Sequence, residues 1–210
     1  MWETLSEPWR AGVELAWESY RAGSLPIGAV VADARERLMS SGRNRIHERT
    51  GPPGTVFGRK LAHAELNALL SLRGDEDSRA RVLYTTTEPC PLCVGAARMA
   101  DVGGLKYASR EPWAGSAAMF ETVPYLQRGN LALEGPQDPQ LEAVLTTLLL
   151  ERFLRLKPKV LPAFLNLYED VMPNATRAAQ NVHASRLLQT MNADGTSAQE
   201  MVHTLSQEIP

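Results

Sequence analysis

The apolar positions along this chain change period several times, and each change marks an element. From Trp9 to Tyr20, the residues Trp9, Val13, Ala16, Trp17 and Tyr20 recur at helical spacing behind Pro8, a residue that a first helical turn tolerates. The nearly continuous apolar run Leu25-Pro26-Ile27-Gly28-Ala29-Val30-Val31-Ala32 then predicts a buried strand. Asp33-Ala34-Arg35-Glu36 is too short for a crossover, so the next strand, near Arg37 to Gly42, is expected to return antiparallel. Between Arg43 and Lys60 the periodicity stops, and Gly51-Pro52-Pro53-Gly54 breaks any regular element. A long loop is expected there, and long loops inside compact domains tend to be functional.

The spacing predicts a helix from near His63 through Leu66, Leu69 and Leu70 to about Arg73, where Gly74 ends it, and a polar connection from Asp75 to Arg79. Arg81 to Thr86 is the next strand. Pro89 or Pro91 opens a helix whose small face Gly95-Ala96-Ala97 suits close packing on a sheet, and Leu105 to Ala108 is a further strand. One short helix over Met119 to Leu126, a last strand over Asn130 to Leu133, and a long helix from Gln140 to Leu156 complete the alternation. Strands alternating with helices in this way predict an α/β fold with a central mixed sheet of about five strands covered on both faces. Pro158 and Pro162 mark a boundary. Beyond it Val160 to Tyr168, Ala175 to Gln189 and a segment opening with the capping-box pattern Ser197-Ala198-Gln199-Glu200 predict helices. The expected organisation is a domain over residues 1–158 and a helical extension over 159–210, with no internal repeat.

Composition narrows the function without naming it. At 210 residues the chain is long enough for one domain with a sizeable core. Its net charge of −2 argues against wholesale electrostatic capture of nucleic acid. Through Pro158 basic and acidic residues balance at 19 each, and the remainder carries 3 against 5. No run approaches the ~18 apolar residues of a membrane span, and Met1-Trp2-Glu3-Thr4 has neither a basic nor an apolar leader region. Together with only two cysteines at C-x-x-C spacing, this predicts a soluble, cytoplasmic protein.

Those cysteines, Cys90 and Cys93, and the triplet His63-Ala64-Glu65 carry the chemistry. Two thiolates and one imidazole make three ligands for Zn²⁺ and leave a fourth position for water, the arrangement of a catalytic site. Both motifs fall at predicted helix starts, where the helix dipole favours thiolate over thiol. Glu65 is then placed to act as the general acid and base beside that water. Two other readings of the cysteines stand beside this one: a redox dithiol, and a structural zinc site that would draw a fourth ligand from His47, His183 or His203. His-x-Glu followed by P-C-x-x-C is also the signature of zinc nucleobase deaminases.

The segments Pro26-Ile27-Gly28-Ala29-Val30, Gly42-Arg43-Asn44-Arg45, His63-Ala64-Glu65 and Glu88-Pro89-Cys90-Pro91-Leu92-Cys93-Val94-Gly95-Ala96 resemble the cytidine and deoxycytidylate deaminase superfamily. Within it they are similar to the branch of bacterial tRNA adenosine deaminases, guanine deaminases and fungal cytosine deaminases. The resemblance covers about residues 9 to 157. It implies a three-layer α/β/α fold, hydrolytic deamination, a homodimer, and a hydrogen bond from Asn44 to the base. The sequence departs from the pattern at Lys60-Leu61-Ala62, where many relatives place Asp-Pro before the zinc histidine, and in the extension after Pro158, which compact members lack. Trp113 follows a strand and is a candidate for stacking on a base, although a tryptophan in this context is more often a packing residue.

The expected substrate is a small aminopurine or aminopyrimidine, as base or nucleoside. The runner-up is tRNA: Arg43, Arg45, Arg49, Arg59 and Lys60 form a basic segment interrupted only by Glu48, suited to phosphates or simply a solvated loop. Pro91 resembles the small-base guanine deaminases more than the tRNA enzymes. A non-catalytic zinc-stabilised interaction module is the alternative of another class, and such a module has no use for Glu65.

Overall fold

A computed structural model of the protein describes residues 1–72, 78–129 and 131–210. The expected helix end at Arg73-Gly74, most of the polar connection after it, and Asn130 lie outside the described residues. Ten α-helices and five strands are described, in the order α1 (Glu7–Arg21), β1 (Gly28–Ala32), β2 (Leu38–Arg43), α2 (Ala64–Leu70), β3 (Val82–Thr87), α3 (Pro91–Met99), β4 (Gly104–Ser109), α4 (Met119–Thr122), α5 (Pro124–Gln127), β5 (Ala132–Glu134), α6 (Pro139–Leu156), α7 (Leu161–Val171), α8 (Pro173–Ser185), α9 (Leu187–Ala193) and α10 (Ala198–Glu208).

The strands form one mixed sheet in the order β2-β1-β3-β4-β5. β1 runs antiparallel to both β2 and β3, while β3, β4 and β5 are parallel. The period-2 alternation divides the core accordingly. Ala29, Val31, Leu83, Leu105 and Tyr107 face α2 and α3, while Ala32, Tyr84 and Ala108 face α1 and α6. The result is the expected three-layer α/β/α sandwich. After Pro158 the helices do not stand apart from it: Val182, Leu188, Met201, Val202 and Leu205 join the buried cluster that holds Trp9, Val13, Leu145 and Leu148.

Local chemistry accounts for the main boundaries. Asp138 caps α6 by accepting the Gln140 and Leu141 N–H groups at 2.9 Å each, with Pro139 at the first helical position. The capping box of Ser197 and Glu200 opens α10 as its pattern predicts. Two expectations need correction. The single helix expected over Met119 to Leu126 is two one-turn helices, because the ring of Pro124 pushes Val123 out of the helical region to φ −98°, ψ 112°. The single helix expected over Ala175 to Gln189 is broken at Arg186, whose left-handed φ of 59° ends α8 and restarts the chain as α9. Neither glycine nor proline marks that break in the sequence.

One close approach positions the site. α2 lies so tightly on β2 that a Cβ added at Gly42 would sit 2.5 Å from the Ala64 carbonyl oxygen and closer still to the Ala68 nitrogen. Ser40 Oγ donates to the Ala68 carbonyl at 2.8 Å across the same contact. Gly42→Ala is therefore expected to destabilise the protein by ~1–3 kcal/mol, because backbone on both sides must move. It should also weaken zinc retention, since α2 carries His63. Urea unfolding combined with metal analysis checks both, and an unchanged midpoint would contradict the tight packing.

Candidate zinc centre

The ends of two helices build the centre. His63 is the N-cap residue of α2 and Cys90 that of α3, both with extended backbone, and Cys93 follows in the first turn of α3. Pro91 sets that turn with a fixed φ and no N–H left to satisfy. His63 Nδ1 lies 3.5 Å from Cys90 Sγ and 3.4 Å from Cys93 Sγ, and the two sulfurs are 3.7 Å apart. A tetrahedral zinc with ordinary Zn–S and Zn–N bonds requires S···S and N···S edges of about 3.8 and 3.6 Å. The three atoms therefore occupy three corners of such a tetrahedron. Among the described residues this is the group of metal-ligating side chains close enough to share an ion, and it leaves the fourth corner without a protein ligand.

The charges in the cluster point the same way. The hydrogen bond with Cys93 holds the Cys90 thiol down at about 4, ahead of contributions from His63. That hydrogen bond and burial push Cys93 up. His63 is raised, first by its hydrogen bond with Cys90. Two sulfurs thus compete over one proton, and a divalent cation removes the conflict by holding both as thiolates.

Glu65 stands two residues into the same structure, only 4% exposed. Thr85 Oγ1, from β3, donates to its Oε1 at 3.1 Å. Burial raises its carboxyl above the usual range. With His63 and Cys90 it lines a cavity of about 160 Å³. The rest of the lining is largely apolar, with Leu25 and Ile27 ahead of β1, Leu149 and Phe153 of α6, and Phe164 of α7 beside the polar Thr87, Glu88 and Glu111, and no lysine or arginine lines the cavity among the described residues. A buried carboxyl able to hold a proton, beside the metal-ligating cluster in a small, largely apolar cavity, suits acid–base chemistry on a neutral planar ligand.

His63, Glu65, Cys90 and Cys93, separate in the sequence, thus meet. Trp113 also reaches the cavity, at its rim, 46% exposed and with its ring centroid 6.0 Å from that of Phe164. Asn44 is placed differently. It is buried at the end of β2, its Oδ1 accepts the Ile46 N–H at 3.2 Å, and its backbone bonds to Ile27 and to Ser19 Oγ. It shapes the turn there and is not among the residues lining the cavity. His183 pairs with Glu151 and His203 with Gln207, so neither approaches the sulfurs. Both cysteines are free. In the basic segment, Glu48 binds both Arg43 and Arg45, and all three side chains are largely buried.

Sequence reasoning missed several contributors. Asn67 holds the long loop to α2 through three hydrogen bonds of 2.7–3.1 Å to Val56 and the Arg43 carbonyl. Glu111 accepts the Trp113 and Ala114 N–H groups and the Tyr168 hydroxyl. Phe164 arrives from beyond Pro158. The apolar stripes that carry Leu149, Phe153 and Phe164 were visible, but nothing in their spacing says that these members face a cavity.

Residues 3–109 match the cytidine and deoxycytidylate deaminase zinc-binding region. The chain belongs to this deaminase family. The metal for which His63, Cys90 and Cys93 are positioned is accordingly zinc. The chain is 34% identical over 105 residues to the tRNA(Ile)-lysidine synthase of Deinococcus radiodurans, covering 49% of this chain and 17% of that protein, so it spans only a small part of that relative's length. It is 29% identical over 120 residues to the guanine deaminase of Bacillus subtilis, covering 55% and 71% of the two chains. It superposes with a TM-score of 0.53 and 25% identity on a chain solved in studies of A-to-I editing by tRNA:A34 deaminases at the wobble position of transfer RNA, covering 65% of this chain and 95% of that one. Among the described residues no helix is long and apolar enough to cross a membrane.

Proposed function

We propose that the protein is a zinc-dependent hydrolase that converts an amino-substituted nucleobase or nucleoside to its oxo product with release of ammonia. The observation that carries this reading is the buried Glu65 carboxyl sharing one small cavity with His63 and Cys90. His63, Cys90 and Cys93 would hold the ion. When bound there, zinc supplies a Lewis acid that makes a neighbouring water nucleophilic near neutral pH. Glu65 takes a proton from the attacking water and delivers it to a ring nitrogen of the substrate, then takes the second proton from the added hydroxyl and gives it to the departing amine, which leaves as ammonia. Thr85 fixes the orientation of that carboxyl through Oε1. The apolar wall keeps bulk water from the reacting atoms and accepts the face of a ring.

Likeness to the tRNA:A34 deaminases favours tRNA as a second reading. Against it, Arg43 and Arg45 are engaged by Glu48, and the cavity has no cationic lining residue for a phosphate among the described residues. A homodimer and a cytoplasmic location belong to the same proposal. Ammonia release from a panel of free bases, nucleosides and an anticodon stem-loop tests it, with light scattering on the same preparation for the assembly. Turnover of a base or nucleoside is expected. Reaction of the stem-loop alone would give the second reading its place. Zinc bound without any turnover would favour a non-catalytic interaction module.

A further inference from the structure

The helix α7 lies outside residues 3–109, which carry the family match, yet it supplies part of the cavity wall. Phe164 is 3% exposed and sits among three aromatic rings, 4.2 Å from Phe153, 4.8 Å from Tyr168 and 6.0 Å from Trp113 between centroids. The wall is therefore continuous from the loop after β4, through α7, to α6. Tyr168 is fully buried and its hydroxyl donates to Glu111 Oε1 at 3.1 Å. Glu111 in turn accepts the Trp113 and Ala114 N–H groups, and its own N–H donates to Glu88 Oε2 at 3.1 Å. One face of α7 thus closes the cavity, and the next turn of the same helix secures the loop that carries Trp113.

We infer that α7 is the specificity wall of this site: Phe164 directly, and Tyr168 through Glu111, restrict the cavity to a free amino-substituted base and keep out the sugar of a nucleoside and the backbone of a nucleic acid. The inference rests on the deaminase reading above and deepens it. Size is the first reason. A cavity of about 160 Å³ is roughly half the ~300 Å³ at which sites for drug-sized ligands begin. Chemistry is the second. Sugar hydroxyls entering between Leu149, Phe153 and Phe164 would lose water against apolar side chains, and the Glu88 and Glu111 carboxylates in the same lining are already engaged by backbone N–H groups. A phosphate would meet no cation, since no lysine or arginine lines the cavity among the described residues. Against apolar side chains one added hydroxyl is discriminated by only ~100-fold, so exclusion of a whole sugar draws on the size of the cavity as well. Phe164 is a specificity residue touching the ligand space, whereas Tyr168 is a positioning residue acting through Glu111 and its loop.

The test uses the zinc-loaded full chain. kcat/KM is measured for a free base, its ribonucleoside and an anticodon stem-loop, and binding of the same ligands to Glu65→Gln protein is measured by calorimetry. The base should lead the nucleoside by at least ~100-fold in both measurements. Phe164→Ala should narrow that ratio by ~10-fold or more, mainly by lowering the nucleoside KM, while Phe164→Leu preserves it. Tyr168→Phe should raise KM for the base without loss of zinc. If Phe164→Ala does not fold, the wild-type ratios decide. A nucleoside or stem-loop deaminated as well as the base overturns the wall and leaves the deaminase reading standing. If nothing is deaminated, that reading fails and calorimetry decides the wall: binding of base without nucleoside supports it, and binding of both or neither overturns it.

Discussion

Glu65→Gln should leave zinc bound and cut deamination by ~10²–10⁴-fold, the usual worth of a positioned acid–base group. The side chain is no part of the ligand cluster, in which His63 Nδ1 and the two sulfurs already satisfy one another's spacing. An amide can still accept the Thr85 hydroxyl bond at Oε1. Burial already disfavours the charged carboxylate, so removing the charge should not cost folding stability. Metal content, a thermal melt and kcat on one preparation separate these effects. Loss of zinc alongside loss of turnover would contradict a role for Glu65 beside the metal rather than on it.

Cys93→Ala should do the opposite and empty the site. Cys93 is completely buried, and its sulfur lies 3.4 and 3.7 Å from the other two ligand atoms. With two ligands left, zinc should fall to near-zero stoichiometry and turnover with it. A stability change should follow by linkage, because free zinc at 1,000 times its dissociation constant stabilises the folded state by ~4 kcal/mol. A chelator should therefore lower the Tm of the wild type and leave that of Cys93→Ala unmoved. A variant that keeps stoichiometric zinc would show a ligand set other than His63, Cys90 and Cys93.

The candidate metal cluster was legible because its residues come from two short motifs at helix starts, and helix starts are announced locally. Pro91 after Cys90 and the apolar run after His63 mark them without help from the rest of the chain. The β1–β2 hairpin was legible for a similar reason, since four residues cannot make a crossover. Local signals failed where a distant partner decides. Glu48 reads as a lone acid within a basic segment, yet it binds two of the arginines around it. Arg186 carries no helix-breaking chemistry and still breaks one.

The sequence by itself determined the alternation of elements and the two motifs that bring His63, Cys90, Cys93 and Glu65 to helix starts, because each depends on spacing along the chain. Only the tertiary structure decided what surrounds them. It brought Leu25, Phe153 and Phe164, far apart in the chain, onto one cavity, tied Tyr168 to Glu111, and set Asn44 in a turn away from the cavity lining. The physical reason is that an apolar position encodes burial but not the neighbour against which it is buried. Helical period places Phe164 on the inward side of α7, and only the packing of α7 against α6 and the Trp113 loop makes that side the wall of a site.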